Sequence, residues 1–139
     1  LKTIQTEIAE LVFDEKESIL YIQTMEGATM TMESTKKYYE KIKKITDNKP
    51  YGAMIDATVH FSIDAESLHY TSLPETIGNR IASAHYRAPL SNRMTADFFK
   101  KNYDLKIPFE SFKTKADALS WLKNELNQFK IGKAKQVAL

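Results

Sequence analysis

The chain has 139 residues, 42% of them apolar and 27% charged, so a single globular domain is the default organisation. Its 20 basic and 18 acidic residues leave a net charge of +2, too small to argue for nucleic acid or an anionic membrane as partner. With no cysteine, thiol catalysis, cysteine-ligated zinc and a disulfide scaffold are excluded. No stretch of nine residues lacks Asp, Glu, Lys and Arg, so neither a membrane-spanning helix nor a signal-peptide core can be drawn in these residues. Leu1 in place of Met points to a processed or trimmed N-terminus.

In chain order, Ile8 to Asp14 and Ser18 to Met25 are rich in β-branched and aromatic residues. The polar Glu15-Lys16-Glu17 between them predicts an antiparallel hairpin, ended by Glu26-Gly27. From Met32 the period changes. Met32, Thr35, Tyr39, Ile42 and Ile45 share one helical face, with Thr31 or Ser34 as cap and Asp47-Asn48-Lys49-Pro50 as stop. The lysines from Lys36 to Lys49 read as the solvated side of that helix. Tyr51 to Asp56 is small, apolar and bounded by turn residues, as a buried strand is. Asp64 to Ser72 reads as a short helix capped by Asp64, Pro74 to Asn79 as a further helical turn or loop, and Ile81 to Arg87 as a strand. Ser91 is expected to cap a helix reaching Asn102, with Met94, Phe98 and Phe99 turned inward. Ile107 to Phe112 is the next strand. Thr114, followed by Asp117, caps a last helix striped by Ala118, Leu119, Leu122, Leu126 and Phe129. Past Gly132 there are lysines, no acid and little periodicity, which predicts a frayed basic tail over residues 133–139.

The order β-β-α-β-α-β-α-β-α predicts a single-domain α/β fold over residues 1–132. Its mixed sheet should have about five strands, an antiparallel N-terminal hairpin followed by mostly parallel strands, with about four or five helices.

Few enzyme chemistries can be written on these residues. His60, His69 and His85 lie nine and sixteen residues apart, so no two share a helical turn as a helix-borne metal site needs; His69 and His85 read as polar core or edge residues. The four glycines are isolated, which excludes a P-loop or a dinucleotide-binding turn, and no G-x-S-x-G string is present. Asp64 and Glu66 are explained by the start of a helix. The reading is therefore non-enzymatic, with no cofactor and no metal. In open α/β sheets ligands gather beyond the carboxyl ends of parallel strands. Here that edge would hold Thr58 to Asp64, Arg87 to Arg93 and Lys113 to Lys115. Arg87, Ser91, Asn92 and Arg93 offer two guanidinium groups beside a helix start, a chemistry that suits a phosphate or carboxylate.

The segment from Met54 to Glu66 resembles the signature region of STAS domains, the SpoIIAA-like family of anti-sigma-factor antagonists. Asp56 ends a buried strand, Phe61 holds the aromatic position of the loop, and Asp64 opens a helix eight residues after Asp56. Ala118-Leu119-Ser120-Trp121-Leu122 matches a motif in the last helix of bacterial STAS-like proteins of uncertain role. The resemblance covers roughly residues 7 to 129 and implies a STAS-like fold in a bacterial, cytoplasmic protein. It also implies a partner protein, held by Thr58, Phe61, Ser62, Asp64, Glu66 and His69, and makes a homodimer unsurprising. Such antagonists carry a phosphorylatable Ser or Thr just after the second Asp, where phosphate breaks the partner complex. This chain has Ala65 and Glu66 there, so the switch does not carry over, although Thr58 and Ser62 lie nearby. The first expectation is thus a protein-interaction module without the phospho-switch. The second, implied by similar CRAL-TRIO-like folds, is a carrier or sensor of a lipid or anionic small molecule using Arg87 to Arg93, with Tyr70, Phe98, Phe99 and Tyr103 as apolar lining.

Overall fold

The structure, a computed structural model, describes the backbone of residues 1–138 and side chains as far as residue 136. In chain order it runs β1 (Lys2–Gln5), β2 (Ala9–Asp14), β3 (Ile19–Thr24), β4 (Thr29–Met30), α1 (Met32–Ile45), β5 (Tyr51–Asp56) and β6 (Ser62–Ile63). It continues with α2 (Ala65–Tyr70), α3 (Pro74–Ile77), β7 (Arg80–Tyr86), α4 (Leu90–Asn102), β8 (Phe109–Phe112) and α5 (Lys115–Ala138). Six strands form one sheet in the order β1-β2-β3-β5-β7-β8, and β4 and β6 make a small parallel pair beside it. β1 and β2, and β2 and β3, pair antiparallel; β3, β5, β7 and β8 are parallel.

This is the expected mixed sheet with one strand more. Lys2-Thr3-Ile4-Gln5 has a single large apolar residue, so no strand was legible in it. As an edge strand it pairs one side only and needs to bury little.

The sheet is covered on both faces, as parallel strands require. On one face, Leu11, Phe13, Leu20, Ile22, Tyr51 and Ala53 pack against Tyr38, Tyr39, Ile42 and Ile45 of α1. On the other, Ile19, Met54, Ala82, Ala84 and Tyr86 pack against Ala118, Leu122 and Leu126 of α5. Thr31 caps α1 reciprocally with Ser34, Asp64 caps α2 through the Ser67 N–H, and the Thr114 hydroxyl accepts from the Asp117 N–H.

Three expectations are corrected. α5 does not fray at Gly132 but continues to Ala138, because nothing between Gly132 and Ala138 breaks a helix strongly enough to stop it. Leu139, the last residue of the expected tail, lies outside the described residues. Ser91 does not cap α4, which begins one residue earlier at Leu90 after Pro89 and has no side-chain cap. That register turns only Phe99 fully inward; Met94 and Phe98 are 62% and 53% exposed. Together with Leu90 they form a three-residue stripe, one residue every four, on the outer side of α4. Among the described residues no helix is long and apolar enough to cross a membrane.

Candidate functional site

Between the sheet and the layer of α1, α2 and α4 lies a cavity of about 140 Å³. Its walls are mainly apolar: Tyr38 and Tyr39 from α1, Ile55 from β5, Phe61 and Ile63 from the loop and β6, Leu68 from α2, Ala96 and Phe99 from α4, and Phe109 from β8. It exists because α4 stands off the sheet where β7 presents only small or polar side chains. Asn92 fixes that stand-off: its amide donates to the carbonyls of Ala57 and Val59 at 2.8 Å each, tying the first turn of α4 to the loop after β5.

Three polar side chains of β7 face the cavity, Arg80, Ser83 and His85. Strict alternation would put Arg80 with Ala82 and Ala84 on the α5 face. A bulge prevents it: Tyr51 opposes Arg80 while Gly52 opposes Ala82, so Ile81 is the extra residue and Arg80 joins Ser83 and His85. The Arg80 guanidinium is buried. Its Nε donates to the Tyr51 hydroxyl at 3.0 Å and Nη1 to the Ser83 hydroxyl at 3.2 Å. The Tyr39 and Tyr51 rings lie 5.7 and 5.5 Å from its central carbon. Nη2 has no partner among the described residues, and no carboxylate of theirs lies within ion-pair distance of Arg80. Burial pushes the Tyr38 and Tyr39 hydroxyls above their ordinary range, so both stay neutral.

His85 is half-buried, its ring lining the cavity and lying 4.4 Å from the Phe109 ring. Burial first, and the Arg80 charge second, push its pKa down to about 3. The fold therefore refuses a proton that the unfolded chain takes up near pH 6.5. Stability should be unaffected by His85 above pH 6.5 and fall as the pH drops from 6.5 towards 3, by at most about 1.4 kcal/mol per pH unit. Urea titrations between pH 6.5 and 5, where carboxylates remain ionised, should show that slope in the parent and not in His85→Gln; parallel slopes would refute it.

The residues expected to hold a partner are only partly gathered. Thr58 is engaged, its N–H and hydroxyl both donating to the buried Asp56 carboxylate. Phe61 points into the cavity, whereas Ser62, Asp64, Glu66 and His69 are exposed on the loop, β6 and α2. The Ser67 N–H holds the Asp64 carboxyl below its ordinary value. His69 lies 5.4 Å from the Tyr103 ring.

The residues expected to hold an anion divide. Arg87 pairs with Asp56 at 3.2 Å and carries a positive φ of 57°, a conformation that costs a non-glycine residue about 1 kcal/mol. Arg87, Arg93 and Lys113 line an open cleft at the carboxyl edge of the sheet. Ser91 lies 3.5 Å from His60, and Asn92 alone of the four borders the cavity. Of the aromatics expected to line a ligand site, only Phe99 does so: Phe98 is exposed, and Tyr70 packs on the α1 cluster.

Sequence reasoning missed Arg80, Ser83 and Tyr51. A signal was present: a central parallel strand is buried on both faces, so Arg80, Ser83 and His85 in such a strand are polar residues that need an explanation. Among the described residues no group of three or more His, Asp or Glu is placed to hold a metal ion.

The fold is SpoIIAA-like. A solved structure of an uncharacterized protein of the DUF3478 family, with a SpoIIAA-like fold, from Shewanella loihica PV-4, superimposes with a TM-score of 0.55. The match covers 88% of this chain and 98% of that one at 17% identity, a likeness of fold. No curated protein sequence matches the chain. Residues 13–126 match a domain of unknown function, DUF7793, and the chain belongs to that family.

Proposed function

We propose that the protein is a non-catalytic binding module whose interior takes one small, largely apolar molecule. The observation that carries this reading is the cavity of about 140 Å³ with a few convergent polar groups on β7. It moves the small-ligand expectation from the Arg87–Arg93 edge into the core, because Arg87 is engaged by Asp56, whereas the cavity combines apolar walls with an unpartnered guanidinium nitrogen. The two residues after Asp64 are Ala65 and Glu66, neither with a hydroxyl, and the Ser67 that follows is fully buried, which supports a role independent of phosphorylation at that helix start.

A second reading, docking of another protein, is favoured by the exposed stripe of Leu90, Met94 and Phe98. Native mass spectrometry of gently purified protein separates the two. A retained adduct of small-molecule mass, absent from a variant with the cavity filled, is the expected result. A bare chain that copurifies with a protein, and loses it when Leu90, Met94 and Phe98 become Ser, would replace the first reading by the second.

A further inference from the structure

Resting on the cavity reading above, we infer that the ligand is a small monocarboxylate with one aromatic ring or a short acyl chain, its carboxylate held by Arg80. A guanidinium is charged at any pH at which the protein is folded, and it has five N–H donors. Tyr51 and Ser83 take one each from Nε and Nη1. Nη2 is left without a partner among the described residues, and its N–H groups are the donors a carboxylate would take. Buried charges are ordinarily paired. This one has only neutral hydroxyls and the faces of Tyr39 and Tyr51 around it, which offset part of its desolvation. The strand bulge that aims it inward is a local departure from regular pairing, a feature that recurs beside binding sites.

Charge and size narrow the class. One cation with no second basic side chain on the cavity wall balances a monoanion; Arg87, Arg93 and Lys113 lie in the other cleft. The rest of the wall is mainly apolar, which suits a hydrocarbon body and not a sugar or a nucleotide. A cavity of about 150 Å³ accommodates one benzene ring, close to the volume here of about 140 Å³. His85, held neutral, presents no second charge to the anion.

Calorimetric titration of the full chain at pH 7 with benzoate and butanoate, and with their neutral counterparts benzyl alcohol and 1-butanol, tests this. Each acid should bind at least about tenfold more tightly than its alcohol, a preference that Arg80→Met abolishes and Arg80→Lys reduces. The comparison within the parent stands even if a variant fails to fold. Equal binding of acid and alcohol would overturn the carboxylate assignment and leave the apolar cavity reading intact. Binding of neither would overturn both. An acid preference that persists in Arg80→Met would remove Arg80 as the anchor.

Discussion

Replacing Leu122 by Ala should cost about 4 kcal/mol of folding stability, near the upper end of what such truncations cost in well-packed cores. Leu122 is fully buried at the centre of the α5 contact with the sheet. It sits directly over Gly52: a Cβ added to Gly52 would come within 2.8 Å of Leu122 Cδ1. The wall opposite is therefore backbone, and its neighbours Ala82 and Ala84 are too short to move into the space. The void stays open, and its cost adds to the lost transfer free energy. Domains of this kind are stable by about 5–15 kcal/mol in all, so the variant should unfold at far lower urea. Leu119, half-buried on the same helix, should cost less than half as much when truncated. A loss below about 2 kcal/mol for Leu122→Ala would mean that the α5 layer relaxes onto the sheet.

Much of the fold was legible because most elements bury a face that leaves a periodic pattern. Strands β2, β3, β5, β7 and β8 alternate or run apolar between turn residues, and α1 and α5 carry apolar stripes at helical spacing, so periodicity alone ordered them. β1 and the β4–β6 pair were not legible, because short edge strands bury too little to leave a pattern. The site was legible only at its margins. Phe61 and Asn92 belong to segments singled out by motif and by helix start, and both border the cavity. Arg80 does not announce itself: its direction depends on the bulge at Ile81, and a one-residue register shift against β5 is a property of two strands, not of either alone. Met94 and Phe98 misled for a related reason. A helix with apolar residues on two sides does not reveal which side the sheet will take, and the amide of Asn92 decides it through the carbonyls of Ala57 and Val59.

Ala96→Phe is expected to leave the protein folded and gain about 0.5–2 kcal/mol, the usual return on filling a void, while weakening benzoate binding by at least about 100-fold. Ala96 is half-buried on α4 and lines the cavity, so a ring built there enters the space the ligand needs. Stability and binding should thus move in opposite directions, which a general disruption of the fold cannot produce. Arg87→Met is the companion. It removes a cation from the open cleft but none from the cavity, so benzoate affinity should be unchanged, even though the buried Asp56 carboxylate loses its ion pair and stability falls. Thermal melts and benzoate titrations on both variants measure the four quantities together. If Ala96→Phe binds as the parent does and Arg87→Met does not, the ligand sits at the carboxyl edge of the sheet, as the spacing of Arg87 and Arg93 first suggested. If binding follows Ala96, the ligand sits in the cavity, and loss of the acid preference in Arg80→Met then identifies the guanidinium that the β7 bulge turns inward as its anchor.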